Sequence, residues 1–446
     1  MIDIKTHIKE TARLAIPVSI GQIGHIMMGV VDSLMVGQVG TVPLAAAALV
    51  NGLFFLVLVL GIGMTMAITP LVAIKKGEKN DEECGMILRQ ALIVNIVFAL
   101  LLLLLIFFGA DFLTYLDQPS DVVAEAKSYM KILALSVLPF LLFQVYRQFL
   151  EGISVVKPPM VIAVLANLFN AFSNWVLIFG NLGFEAMGLA GAGVTTFLTR
   201  SIMAVVLMVY VINSRRFSVY NPTLRYQMIN WKVIKNVVRI GLPSGLQYFL
   251  EVGAFAFSAV MIGWLGAVPL AAHQIGINLA SVTYMIILGI GAAGTIRVGS
   301  YLGQKNRAEM RKAGFSAIGL SMALMLCFAV IFILLRNFLP TLYVDEIEVI
   351  ELASSLLIVA AIFQLFDGIQ ATAIGVLRGL TDVKIPLVIS FFSYWALGVT
   401  TSYIFAFPLN LGTQGVWFGF IMGLSSTAIM LTIRFHLMTK KENHPS

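Results

Sequence analysis

Charge is scarce in this chain. Only 11% of its 446 residues are Asp, Glu, Lys or Arg while 59% are hydrophobic, against about a quarter charged in a soluble domain. So much apolar surface does not fit inside one soluble core. Cysteine is nearly absent too: Cys84 and Cys327 supply neither a disulfide framework nor part of a metal-ligand cluster. No polar stretch is long enough to form a domain of its own, which disfavours a scaffold or signalling protein. No nucleophile converges with a base, which disfavours an embedded enzyme. The first apolar run lacks a small-x-small cleavage pattern, so it reads as a retained span and not a signal peptide.

What is present is a series of long apolar runs. About 20 residues at 1.5 Å per residue cross the hydrocarbon, and twelve such runs fall at 14–37, 44–74, 86–110, 127–150, 160–180, 188–212, 237–263, 270–299, 313–335, 351–375, 385–408 and 414–437. An all-α, polytopic protein of the lipid bilayer is expected. The net charge of +7 is an orientation signal, with no nucleic acid implied. Of the 29 Lys and Arg, twenty-four lie in the termini and in alternate loops, while the opposite side has only Lys127, Lys131 and Arg336 beside nine acids. The positive-inside rule then puts both termini in the cytoplasm of a multi-pass plasma-membrane (inner-membrane) protein.

The chain repeats itself. Aligning Pro17 with Pro243 brings Gly37 onto Gly263, Gly40 onto Gly266, VPLAA (42–46) onto VPLAA (268–272) and KKGEKN (75–80) onto YLGQKN (301–306) without a gap. One residue of drift later, LEGISVVKPPMV (150–161) matches LRGLTDVKIPLV (377–388). Six runs per repeat is an even number, so two parallel six-helix repeats related by a pseudo-two-fold axis along the membrane normal are expected. The lobes are 1–212 and 236–446, joined by a basic cytoplasmic linker at 213–235. Two such lobes rocking about a central cavity give alternating access, which favours a transporter. Pro17 and Pro243 interrupt the backbone ladder of the first and seventh runs and are candidate hinges.

Three of the 22 acids stay inside the runs: Asp32, Glu251 and Asp367. At about 2.5–3.5 kcal/mol each, their burial costs on the order of 8–10 kcal/mol, comparable with the stability of a whole domain. They must therefore be paired, protonated or in a water-filled cavity. Asp32 lies about 7 Å below the outer end of its helix. In the fifth run, NLFNAFSN puts Asn167, Asn170 and Asn174 on one face, with Asn174 and Thr196 of the sixth run at nearly the same depth. Such oxygens, without thiols or imidazoles, suit a hard cation such as sodium, and they suit a proton equally. The bland alternatives are that Asp32 is a neutral structural acid clamped by the asparagines, that Asn167 only bonds a neighbouring helix, and that Glu251 pairs with Arg147 or Arg200. The repeat equivalent of Glu251 is His25, that of Asp367 is approximately Phe140, and that of Asp32 is Ser258, so the lobes share a scaffold and differ in their acids.

Other signals are weaker. GIGAAG (289–294) has the dinucleotide G-x-G-x-x-G spacing, but it sits in an apolar helix with no preceding strand and reads as helix packing. His25 and His273 read as interhelical polar contacts, and Arg297 as the cytoplasmic end of the eighth helix. The 21 methionines and 31 phenylalanines meet lipid and core, with some left to line a pliable cavity.

VDSLMVG in the first run, Pro-Ser-Gly ahead of Glu251, RVGSYLG, FDGIQ and VLRGLTDVKIP together resemble the MATE (multidrug and toxic compound extrusion) transporters, in particular their NorM-like bacterial branch. The resemblance spans essentially the whole chain. It implies secondary efflux of cationic, amphipathic organic compounds in exchange for inward Na+ or H+, without a cofactor and with no partner beyond substrate and bilayer, in a monomer. By motif position it implies a first-lobe cation site of Asp32, Asn170, Asn174 and Thr196 and a second-lobe cation or substrate site of Glu251 and Asp367, a Na+ ion being accommodated at either. Phe363, one turn before Asp367, stands where some members use a tyrosine, leaving the second site short of a hydroxyl. In the expected cycle an outside cation neutralises the acids and releases the drug, and drug binding from inside does the converse. A dedicated exporter of one metabolite fits the same features. A flippase for lipid-linked anions is disfavoured by the embedded acids.

Overall fold

The computed structural model describes residues 3–115, 118–222 and 229–440; Asp117, Arg225 and Lys441, counted above among the loop charges, lie outside them. The described residues contain no strand. Among the described residues, twelve helices are long and apolar enough to cross a membrane: α1 (Ile4–Gly37), α2 (Thr41–Gly77), α3 (Asp81–Tyr115), α4 (Ser120–Gly152), α5 (Lys157–Leu177), α6 (Gly188–Asn213), α7 (Trp231–Gly263), α8 (Ala267–Gly303), α9 (Arg307–Leu335), α10 (Ile347–Gly379), α11 (Lys384–Ala406) and α12 (Gly412–Thr439). Large apolar side chains such as Leu100, Leu101, Leu104, Leu105 and Phe108 of α3 are exposed, as a bilayer requires and water does not.

Ten of the expected runs lie inside these helices, which extend past them at one or both ends because polar caps carry the helix beyond its apolar stretch. At the start of α3 the Asn80 side chain accepts from the Glu83 amide at 3.1 Å, and three acids fill the first turn, favourable at the positive end of the helix dipole. Two runs were drawn too long. α5 stops at Leu177, ahead of the left-handed Gly180 (φ 76°), and α11 at Ala406, just before Pro408.

The repeat is visible in single turns. Lys79 (φ 60°) and Lys305 (φ 57°) both adopt the left-handed conformation that L side chains avoid. Each closes its helix identically: Asn80 N–H donates to Lys75 O and Lys79 N–H to Lys76 O, as Asn306 does to Tyr301 and Lys305 to Leu302, the paired bonds of a Schellman end. Asn306 then caps α9 by accepting from the Glu309 amide at 3.2 Å, as Asn80 caps α3. Ser154 (φ 63°) and Thr381 (φ 60°) form a second matching pair.

Packing divides the chain into two compact units, Ile20–Gly245, and Met1–Ser19 together with Leu246–Ser446. These are not the linear halves. Both divisions fall two residues after a proline, Pro17 in α1 and Pro243 in α7, so the first half of each of these helices packs with the other repeat. Glycine seats both half-helices. A Cβ on Gly63 would lie 2.1 Å from Gly245 Cα, and one on its repeat equivalent Gly289 would lie 2.7 Å from Ala15 O and 2.1 Å from Ser19 Oγ. GIGAAG is thus a packing surface: Gly289 receives α1, while Gly291 lies against Gly375 of α10, where an added Cβ would come within 2.4 Å of Gly291 O. The Ile20–Gly245 unit has a core around Val50, Phe54, Leu102, Leu133 and Leu141. The other has two clusters, one around Leu356, Phe363 and Trp417 and one around Ala15, Ile290, Met325 and Leu377.

Candidate functional site

In the Ile20–Gly245 unit, Asp32 of α1 is 8% exposed and meets α5 and α6. Asn174 Nδ2 donates to Asp32 Oδ1 at 2.5 Å and Thr196 Oγ1 donates to Oδ2 at 3.2 Å, while the same Asn174 amide reaches Asn170 Oδ1 at 3.3 Å. The four residues expected together therefore share one cluster, because Asn170 and Asn174 are one turn apart on α5. Both contacts to the carboxylate come from donors, as an acceptor-only group needs. Asn174 Oδ1 and Asn170 Nδ2 are buried without a hydrogen-bond partner among the described residues. A bare amide oxygen beside a carboxylate is a ligand set for a hard cation. Asn167 does not join; its amide donates to Ala163 O in its own helix at 2.8 Å.

In the other unit, Glu251 of α7 and Asp367 of α10 are 6% and 5% exposed. Gln370 joins them, its Nε2 lying 3.2 Å from Glu251 Oε1 and 3.2 Å from Asp367 Oδ1. Tyr284 of α8 donates its hydroxyl to the same Glu251 oxygen at 2.9 Å. A π-helical segment in α11, Phe392–Val399, brings Trp395 to α7, where its indole N–H donates to Leu250 O at 3.0 Å, fixing the backbone next to Glu251. Such wide turns recur at functional sites. Phe363 is buried among Phe255, Trp417 and Phe420, with ring centroids 5.6–6.1 Å away.

The pairing of Glu251 with Arg147 or Arg200 is not found. Arg147 Nε donates to Glu151 at 2.7 Å and its NH1 to Gln22 at 3.3 Å; Arg200 donates to Ser136 Oγ at 2.7 Å and lies 4.8 Å over the Phe140 ring. Arg297 does not end its helix either. α8 runs on to Gly303 and Arg297 is buried. His25 packs edge-on against Phe140 and Phe143, and His273 against Trp417; among the described residues no group of three or more His, Cys, Asp or Glu gathers to hold a metal.

Sequence reasoning missed Gln370 and Tyr284. Gln370 had a signal, three residues after Asp367 in FDGIQ and hence on its face; Tyr284, alone in an apolar run, had none. It also placed Glu151 and Glu309 in loops, whereas both are buried, Glu151 ion-paired with Arg147 and Glu309 with Lys312. For Glu151 the i, i+4 spacing from Arg147 was the readable sign.

The MatE family model matches this chain twice, over residues 17–176 and 243–404, each match opening on one of the two repeat-equivalent prolines. The chain belongs to the MatE family. It is 35% identical to a probable multidrug resistance protein NorM of Agrobacterium fabrum, over 98% of this chain and 95% of that protein. It is 34% identical to the multidrug resistance protein NorM of Vibrio vulnificus, over 97% and 95% respectively. In fold it matches the crystal structure of the eukaryotic MATE transporter AtDTX14 with a TM-score of 0.89 at 22% identity, over 98% of this chain and 97% of that one. This MatE chain is accordingly a multi-pass membrane transporter built on two six-helix repeats, and not an enzyme.

Proposed function

We propose that this MatE chain is a multidrug efflux antiporter that exports amphipathic organic cations and is driven by inward Na+ or H+. One observation carries the reading. The buried acids fall into two classes by their hydrogen-bond partners: Glu151 and Glu309 are ion-paired with Arg147 and Lys312, whereas the partners of Asp32, Glu251 and Asp367 are uncharged Asn, Thr, Tyr and Gln. A buried carboxylate whose hydrogen bonds come only from dipoles leaves its charge available to a mobile cation; the fixed charges of Arg200 and Arg378 act on Asp32 and Glu251 without an ion-pair contact. Asp32 with Asn170, Asn174 and Thr196 forms the first cation site on this reading, and Glu251 with Asp367 the second. Gln370 and Tyr284 position the second pair.

Coupling follows from shared charge. A Na+ ion or proton arriving from outside neutralises an acid that held the drug, and the drug leaves. Each net charge crossing at 100 mV carries about 2.3 kcal/mol, enough for more than tenfold accumulation. Pro17 and Pro243, at the divisions between the packing units, are the hinges. The loop charges assign both termini to the cytoplasm and the chain to the plasma (inner) membrane, where it works as a monomer. The test is export of an ethidium-like dye from proteoliposomes under an imposed sodium gradient or an imposed pH gradient, one at a time. Response to at least one is expected; indifference to both overturns the antiport reading.

A further inference from the structure

The first half of α1 is fastened to its unit by charge as well as by packing. Arg297 of α8 donates from NH1 to His7 O (2.7 Å) and Thr11 Oγ1 (2.8 Å), and from NH2 to Glu10 Oε2 (2.7 Å) and His7 Nδ1 (2.7 Å). On the other edge of the ring, His7 Nε2 lies 2.8 Å from Glu309 Oε2 at the start of α9, and Lys312 reaches Glu309 Oε1 at 3.3 Å. Tyr301 faces the imidazole at 6.1 Å between ring centroids. His7 itself is fully buried.

These contacts fix the protonation state by elimination. A guanidinium only donates, so Nδ1 must accept and carries no proton; Nε2 then holds the single ring proton and donates it to Glu309. His7 is neutral here. With it neutral, the two cations Arg297 and Lys312 face the two anions Glu10 and Glu309 in the contacts among the described residues. A second ring proton would turn Nδ1 into a donor facing a donor and leave an unbalanced buried charge. No counterpart exists in the other repeat, whose equivalent positions are Val233, Leu71 and Glu83.

We propose that His7, Arg297 and Glu309 form a proton-operated latch, which holds the first half of α1 in this unit while His7 is neutral and releases it when His7 takes a proton at Nδ1. The sign follows from the geometry: the latch is closed at neutral and higher pH and opens on acidification of the side bearing the termini. His7 is the one imidazole wedged between an arginine and a glutamate among the described residues, and histidine is the side chain whose charge changes in the physiological range. The device acts on the half-helix ahead of Pro17, whichever cation drives transport.

The test is amide hydrogen exchange on the purified full chain in nanodiscs, corrected for intrinsic exchange, at about pH 7.5 and about pH 5.5. Protection of residues 4–19 is expected to fall by up to about tenfold at the lower pH, the limit for one imidazole, while α10 stays protected. His7→Gln keeps an acceptor toward Arg297 and a donor toward Glu309 but cannot gain the charge, so its protection is expected to be level across the two pH values. Glu309→Gln unbalances the cluster from the start, and 4–19 should exchange faster already at the higher pH. Level protection in the wild-type chain overturns the latch, as does an undiminished pH response in His7→Gln or unchanged protection in Glu309→Gln. The readout is exchange and not transport, so it stands or falls apart from the antiport reading.

Discussion

The two units hold their acids in different ways on the same scaffold. In Ile20–Gly245 a single carboxylate, Asp32, is met by one amide and one hydroxyl, each on its own oxygen. In the other unit two carboxylates share the amide of Gln370, and Tyr284 adds a second donor to one of them. The positions do not correspond through the repeat: Asp32 aligns with Ser258 and Glu251 with His25. Duplication thus copied the helices, caps and seating glycines, and the chemistry diverged afterwards. On the proposed reading, one charge between two dipoles would be a self-contained seat for one small cation. Two like charges joined through a single donor repel until a proton or a cation comes between them, which makes that pair the more responsive to what occupies it.

Removing charge should separate the two sites most sharply. Glu251→Gln keeps an amide oxygen that can still accept from Tyr284 and Gln370 but removes the charge, and leaves Asp367 with no like charge to relieve. Coupled dye export is expected to fall by about a hundredfold or more; near-normal export would mean that the pair is structural. Asp32→Asn should cost about ten- to a hundredfold in affinity for the coupling cation, since the remaining ligands are neutral. Because its cluster shares no residue with the other, Asp32→Asn is expected to leave cation binding at Glu251 and Asp367 intact, measurable as a residual binding isotherm. Loss of all cation binding would show that the sites act as one.

The difference between the sites also marks what the sequence made legible. Twelve helices follow from apolar run length, and the three embedded acids stand out because lipid makes them expensive. Both sites draw on three helices; the Asp32 cluster was readable because Asn170 and Asn174 recur a turn apart in an asparagine-rich run, while in the other site Tyr284 stands alone in an apolar run and only Gln370 lies near an acid in sequence. The packing units were not readable at all. A proline announces that a ladder is broken, but which neighbour receives the freed half-helix depends on the approach of Gly63 to Gly245 and of Gly289 to Ala15. Glu151, Glu309 and Arg297 were misplaced for one reason: polar caps let helices outrun their apolar stretches, so residues assigned to loops are buried inside.

Smaller changes probe the donors. Gln370→Leu removes the bridge while keeping both charges and the bulk of the side chain. A lost hydrogen bond to a charged group is worth about 1.5–3 kcal/mol, so cation affinity in that unit should change by roughly ten- to a hundredfold, with Tyr284 still holding Glu251. Thr196→Val is the gentlest, replacing a 3.2 Å hydroxyl contact with a methyl group of nearly the same shape. Asp32 keeps its Asn174 contact and loses one long donor where Gln370→Leu loses two contacts, so the loss in cation affinity is expected at about tenfold, the low end of that range. The two variants separate bridging from simple donation. If Thr196→Val cost as much as Gln370→Leu in titrations of the coupling cation, donating to one oxygen and tying two acids together would be equivalent, and the contrast between the units would reduce to a difference in the number of carboxylates.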